Sequence, residues 1–345
     1  MSTLQDLLNQ NAGSIFPSSP APINGETLVQ PSALSFIGSD VAAALTRAAP
    51  VSPTPAPAGA KYPAIYAFGD SLTDTGNVSL ATLGMVPVAP PYADRSFSNG
   101  PNWVQDLAQD LGLPPLNPSL AGGTDFAYGG AETGQTQYHA LNPTDLTSQY
   151  TQFLQQSPSP QPGALYTVWI GANDVLDIAN NTSLTPAQQQ ADVQDAVNNE
   201  VAVIGGLAAH GAQNLLVLNV PDLGNTPYEQ ARGAATAQTA TSLSLLYNKE
   251  LAGALQPLEA SGAVKIDLID TFSVLDQAKT NPAAYGFTDV TDPVWTGGLT
   301  DANSGTLRAS GSAQDQFLFF DSLHPTAHAH SMLASGIAQS LTTVA

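Results

Sequence analysis

The sequence predicts an α/β protein, a three-layer αβα sandwich around a parallel sheet. Three observations carry this expectation. Short apolar runs alternate along the chain with long stretches of helical periodicity. The runs are continuously apolar rather than alternating, as suits parallel strands covered on both faces. Polar, glycine-containing motifs follow directly on three of the runs, where an open parallel sheet gathers its ligands.

The elements are read in chain order. Residues 1–47 are polar and Ala-rich, and Leu34, Ile37, Val41 and Leu45 recur at a spacing that predicts one short amphipathic helix. Residues 48–63 (AAPVSPTPAPAGAKYP) hold five prolines in sixteen positions, a spacer unable to form helix or central strand. The expected organisation is an N-terminal extension with a Pro-rich linker over residues 1–62 and one domain over residues 63–345. Within the domain, strands are expected at Ala64–Phe68, weakly near Thr124–Tyr128, and at Leu165–Ile170, Asn214–Val220 and Val264–Ile269. Thr185, Pro186 and Gln188 form a helix start: a Thr cap, Pro in the first turn and Gln for a capping box. Val193, Val197, Val201, Ile204 and Ala208 follow on one face, and Gly211 ends the helix. A second long helix carries Leu243, Leu246, Leu251, Leu255 and Leu258. Residues 281–316, rich in Gly, Thr, Asp and Ser, read as a long irregular insertion.

Composition excludes several classes of function. The 345 residues are 43% hydrophobic, enough for a large core, but only 10% charged, with a net charge of −20. Such a chain repels phosphate backbones and anionic lipid headgroups, so nucleic-acid binding is not expected. Without cysteine there is no disulfide, thiolate metal site or thiol nucleophile. No apolar stretch is long enough to span a bilayer, so no membrane insertion is expected. The N-terminus has neither a basic segment nor an apolar core of a secretory signal, so no ordinary signal peptide is expected; the sequence leaves the compartment open, a leaderless export route included.

Four motifs carry potential chemistry. Gly69-Asp70-Ser71-Leu72 follows the first strand and presents a serine hydroxyl at the carboxyl end of the sheet; Ser71 as a simple helix cap is the alternative. Asp321-Ser322-Leu323-His324-Pro325 spaces a carboxylate so that it can fold back onto an imidazole and leave the far ring nitrogen free as a base; an ordinary turn is the alternative. Gly129-Gly130 and Gly171-Ala172-Asn173-Asp174 supply backbone and side-chain N–H groups of the kind an oxyanion needs, or are turn chemistry alone.

With these four blocks the sequence resembles the SGNH, or GDSL, hydrolase superfamily, in particular its secreted-esterase and thermolabile-hemolysin-like branch. AFGDSLTDTGN (67–77), TDFAYGGA (124–131), IGAND (170–174) and DSLHPT (321–326) are similar to its blocks, and FSNGPNWVQDLA and YNKEL extend the resemblance over roughly residues 64–342. The resemblance implies a flavodoxin-like, five-stranded parallel sheet of order 2-1-3-4-5. It implies Ser71 as nucleophile, Asp321 and His324 completing a catalytic triad, and Ser71, Gly130 and Asn173 as oxyanion donors, with no cofactor and no metal. One position departs from the pattern: the second block usually reads Asn-Phe-Ala, and here Asp125 stands first.

The implied activity is ester hydrolysis through an acyl-enzyme, acting on a small-molecule ester. Short- to medium-chain esters rank first, because no amphipathic lid is evident near the motifs and the charge opposes docking on anionic bilayers. Lipase, phospholipase or acyltransferase action is the alternative, and an inactive surface or adhesive protein on the same fold is the non-enzymatic one. His328 and His330 fall in the last helix and are read as surface or core residues, His210 as structural at a helix end, and His139 has no assigned role. Asp289, Asp292 and Asp301 lack EF-hand spacing, and Trp295 either lines a cleft or pins its loop. The sequence leaves the oligomeric state open.

Overall fold

The computed structural model describes residues 53–157 and 160–343, together with Val41, Ala44, Leu45 and Val51. Its centre is a parallel sheet of β1 (Ile65–Gly69), β2 (Leu165–Trp169), β3 (Asn214–Leu218) and β4 (Lys265–Ile269), hydrogen-bonded in that order. The strands are in simple register: Ile65 faces Leu165, Leu165 faces Asn214, and Asn214 faces Lys265. The weak run at Thr124–Tyr128 lies along the free edge of β1. Ala67 N–H donates to Thr124 O (3.0 Å), Phe126 N–H to Ala67 O (2.7 Å) and Tyr128 N–H to Gly69 O (3.2 Å). A single parallel bridge, Ala67 to Asp125, marks this segment as a rudimentary fifth strand, and with it the order becomes 2-1-3-4-5.

The helices in chain order are α1 (Asn77–Ala81), α2 (Trp103–Asp110), α3 (Leu146–Gln156), α4 (Ala172–Asn180), α5 (Pro186–Ala209), α6 (Pro227–Ala231), α7 (Ala234–Ala260), α8 (Thr271–Thr280) and α9 (Ala327–Thr343). Strand residues alternate between two cores although both faces are covered. Tyr66, Phe68, Tyr166, Val168, Leu215 and Val217 pack with α3, α4, α5 and α7. Ile65, Ala67, Leu165, Trp169, Leu216 and Leu218 pack with α2 and α9. This is the expected three-layer sandwich, with continuous apolar runs because each strand feeds two cores.

Local signals position the long helices. Thr185 and Gln188 form the capping box, Pro186 opens α5, and Gly211 follows its C-cap at φ 111°. Of the predicted apolar face, Val193, Val197 and Ile204 are buried, while Val201 and Ala208 are half-buried; Val203 and Leu207 complete the face. On α7, Leu243, Leu251 and Leu255 are buried, Leu246 and Leu258 are half-buried, and the fully buried Tyr247 donates its hydroxyl to Glu200 Oε2 at 2.6 Å.

Residues 281–316 are more ordered than the predicted irregular insertion. They contain β5 (Asp289–Pro293), which pairs in parallel with β6 (Phe317–Phe319), and two short 3-10 turns. The strand escaped prediction because DVTDP is polar and pairs only locally. From the N-terminal extension, Val41 is fully buried in a cluster with Val78, Val86 and Trp295, and Ala56 and Ala60 pack against the α2–α9 core. Leu34 and Ile37 of the predicted helix lie outside the described residues. Among the described residues, no helix is long and apolar enough to cross a membrane.

Candidate active site

Ser71 sits in the turn at the carboxyl end of β1. The Asp70 carboxylate accepts from Leu72 N–H (2.9 Å), and Asp70 O accepts from the amides of Thr73 and Asp74. Ser71 does not open a helix. The next helix, α1, begins at Asn77, and its first amides are held by the Asp74 carboxylate, which accepts from Gly76, Asn77 and Val78 N–H. The Ser71 amide therefore has no protein partner among the described residues.

The loop after β6 brings the second motif to Ser71. His324 Nε2 lies 2.8 Å from Ser71 Oγ, and His324 Nδ1 lies 2.7 Å from Asp321 Oδ2. The three-residue spacing works as a turn: Asp321 Oδ1 accepts from the amides of Leu323 and His324, both at 2.8 Å, which folds the carboxylate back onto the ring. Asp321 is fully buried. Burial opposes its charge, but the adjacent His324 and the hydrogen bonds it accepts outweigh burial and hold the carboxyl below its usual range.

Tyr92 was not singled out by the sequence. Its hydroxyl donates to Asp321 Oδ2 at 2.7 Å, and burial together with the Asp321 charge pushes the phenol well above its ordinary value, so it stays a donor. No periodic signal marks Tyr92, because it reaches the site from a loop 229 residues away in sequence. Phe97, in the quoted FSNG stretch, lies against the His324 ring at 5.5 Å between centroids.

The glycine turn and the asparagine converge on one another. Gly130 is in the left-handed region (φ 78°), where a side chain is strained, and its amide has no protein partner among the described residues. The neighbouring Gly129 amide is fixed by Asp74 Oδ2 at 3.0 Å. Asn173, in the first turn of α4, donates one amide hydrogen to Ala131 O at 2.8 Å, leaving the other free. Asp125, at the departing position, braces this loop through both carboxyl oxygens: Oδ2 accepts from Thr75 N–H and Oγ1 (both 2.7 Å) and Oδ1 from Ala127 N–H (2.9 Å). Burial and the charge of Asp74 push the Asp125 carboxyl well above its ordinary value, and burial pushes Asp74 up to about 6.

Ser71, Asn173 and His324 line a cavity of about 430 Å³, within the usual range for small-molecule sites. Gly130 is not in its lining. The cavity runs as an apolar groove between α8, β6 and α9, walled by Leu275, Ala278, Phe287, Leu318, Met332 and Leu333. On α9 it extends from Ala329 to Ser340, about 16 Å of helix. Neither α8 nor α9 announces a groove in sequence, since each contributes a few apolar residues that read as ordinary core.

The remaining candidates fall elsewhere. His330 is buried in the groove wall, and burial pushes its imidazole down to about 3, so it stays neutral. His328 faces Tyr285 O at 3.0 Å. His210 caps α5 and packs edge-on against Phe153 at 6.0 Å. Trp295 is buried in the cluster with Val41 and Phe320, outside the groove, so it pins its loop. Asp289 and Asp301 accept turn amides, and Asp292 lies 3.4 Å from Arg308. Among the described residues, no three His, Asp or Glu side chains are grouped to hold a metal ion. His139, unassigned by sequence, lies between Glu132 (2.9 Å) and Asp145 (3.0 Å).

The fold, together with the family it matches, defines a carboxylic ester hydrolase. Residues 65–337 match the family GDSL-like Lipase/Acylhydrolase, and the chain belongs to it. It is similar to the phosphatidylcholine-sterol acyltransferase of Aeromonas hydrophila, 32% identical over 251 residues that cover 72% of this chain and 70% of the relative. It is also similar to the thermolabile hemolysin of Vibrio parahaemolyticus, 26% identical over 81% of this chain and 64% of the relative. The acetylesterase of Thermothelomyces thermophilus is 28% identical over 66% of this chain and 76% of that protein.

Proposed function

We propose that this enzyme hydrolyses carboxylic esters through an acyl-enzyme on Ser71, with His324 as general base and Asp321 as its orienting partner. The observation that carries the reading is the unbroken relay Ser71–His324–Asp321 at 2.8 and 2.7 Å. Its geometry is within the range for proton transfer from a nucleophile to a base. Ser71 Oγ attacks the ester carbonyl as its proton passes to His324 Nε2. The carbonyl oxygen gains a negative charge, which the free amides of Ser71 and Gly130 and the second amide hydrogen of Asn173 stabilise. The tetrahedral intermediate collapses, His324 gives its proton to the departing alkoxide, and an alcohol leaves. Water, deprotonated by His324, then attacks the acyl group, and the acid departs as Ser71 recovers its proton. An inactive protein on the same fold would have no need to keep every one of these groups aligned.

The groove supports an acyl chain longer than acetyl. Its walls are apolar and Ser71 is among its lining residues, so each methylene entering it from water contributes about 0.8 kcal/mol. Medium-chain esters are the proposed substrates. Acyl transfer to an alcohol, the activity in the Aeromonas relative's name, is the second reading, since any alcohol reaching the acyl-enzyme competes with water. We also propose that the hydrolase unit spans residues 63–345, a reading supported by the packing of Val41, Ala56 and Ala60 against it. The test is turnover of p-nitrophenyl esters from acetate to palmitate by wild type and Ser71→Ala. Rates rising to about octanoate, and absent in the variant, are expected; equal rates in the two proteins would contradict the Ser71 reading.

A further inference from the structure

The geometry points to His139 as a positioning residue that fixes the Gly130 segment against the helix carrying Asn173. The inference rests on the oxyanion reading proposed above. Gly130 begins the short segment Gly130–Thr133. Asn173 Nδ2 bonds Ala131 O at 2.8 Å, and the next residue of α4, Asp174, accepts from Thr133 N–H and Oγ1 (2.6 Å). The relative placement of Gly130 and Asn173 is therefore set by how this segment lies on α4.

The far side of the segment is held by His139. Its Nδ1 faces Glu132 Oε2 at 2.9 Å and its Nε2 faces Asp145 Oδ2 at 3.0 Å. Asp145 in turn accepts from Glu132 N–H (3.2 Å) and Asn142 N–H (2.6 Å), and it precedes α3. Leu146 N–H and Thr147 N–H donate to Glu132 O and Thr133 O, joining the segment to the start of α3. Glu132, Asp145 and Asp174 are all buried. Asp177 on α4 and Asp192 on α5 also face this cluster. Packed carboxyl groups repel one another and would drive the segment off α4. An imidazole with a carboxyl oxygen at each ring nitrogen bridges two of them when both nitrogens carry hydrogen. Burial opposes a charged ring, but the bonds to Asp145 and Glu132 prevail and push His139 up to about 11, while burial pushes the Glu132 carboxyl up. A carboxyl oxygen at each ring nitrogen therefore favours the doubly protonated ring.

The role is separable from mere stability. His139→Gln keeps a polar side chain of similar reach but is uncharged and has its donors on a single nitrogen, so it cannot reproduce the two ring-nitrogen contacts. We expect kcat to fall about tenfold to a hundredfold, short of the loss from deleting an oxyanion donor outright, with KM within about twofold. A trifluoromethyl ketone, which places an oxyanion in the hole after attack by serine, should lose affinity by the same factor, while a fatty alcohol filling only the groove should bind unchanged. Unchanged kcat, or equal weakening of both inhibitors, would overturn the inference. Ser71→Ala is measured alongside: activity surviving there would overturn the acyl-enzyme reading, whereas an inactive Ser71→Ala with a fully active His139→Gln overturns only the role of His139. If His139→Gln does not fold, 15N NMR of the wild-type ring decides. Both nitrogens protonated from pH 6 to 9 is expected, and a singly protonated ring at pH 7 would overturn the inference.

Discussion

Replacing Tyr92 by Phe removes one oxygen and little else. The ring packs edge-on against Phe320, with centroids 5.0 Å apart, and that contact survives. What is lost is the O–H donor 2.7 Å from Asp321 Oδ2, one of the bonds that keep this buried carboxyl ionised. A hydrogen bond to a charged group contributes about 1.5–3 kcal/mol. At about 1.36 kcal/mol per pKa unit, that raises the proton affinity of Asp321 by one to two units at most. The more basic carboxylate attracts the neighbouring imidazolium more strongly. The acidic limb of kcat/KM should therefore move up by about half a unit to one unit. On the high-pH plateau kcat should stay within about threefold of wild type. The assay is a pH profile on p-nitrophenyl butyrate from pH 5 to 9. An unmoved limb, or a large plateau loss without a shift, would refute the reasoning.

Two further outcomes follow from buried groups. Burial raises Asp70 to about 7, Asp74 to about 6, Asp174 to about 7 and Glu200 to about 8. Groups whose folded pKa is raised bind protons more tightly in the folded state, so their stabilising contribution is present below about pH 4 and is lost as pH rises through 6–8. Melting followed by circular dichroism should give a Tm several degrees higher at pH 5 than at pH 8.5; the opposite order would contradict it. Asp321, whose folded pKa is lowered, adds stability that disappears only in stronger acid. Deleting residues 1–60 removes the buried Val41 and the packed Ala56 and Ala60. Burying a Val side chain contributes about 1.5–3 kcal/mol, so Tm should fall by several degrees while turnover of small esters persists; loss of folding would place the extension within the core.

Much of this architecture is legible in the sequence because its causes are local. Thr185, Pro186 and Gln188 cap α5 with contacts inside four residues, and the strand runs are continuous because both sheet faces are covered. Asp321 and His324 are readable for the same reason, the turn between them being closed by their own backbone amides. What escaped depends on distant partners. Tyr92 matters only through Asp321, His139 only through Glu132 and Asp145, and β5 only through β6. The alternative of Ser71 as a helix cap is excluded by distance along the chain: α1 begins only at Asn77, its first amides are held by Asp74, and the Ser71 amide has no protein partner among the described residues. At position 125 the Asp carboxyl accepts three hydrogen bonds, two from backbone amides on opposite oxygens, a set that an Asn with one acceptor oxygen cannot fully satisfy.

The central claim is that Ser71 carries the acyl group. Reaction with a fluorophosphonate, followed by peptide mass spectrometry, tests it directly, because the phosphonyl group stays on the nucleophile. The account predicts one adduct per chain, located on Ser71, absent from Ser71→Ala and formed orders of magnitude more slowly in His324→Ala. An adduct on another residue, or labelling of wild type and Ser71→Ala at equal rates, would contradict it.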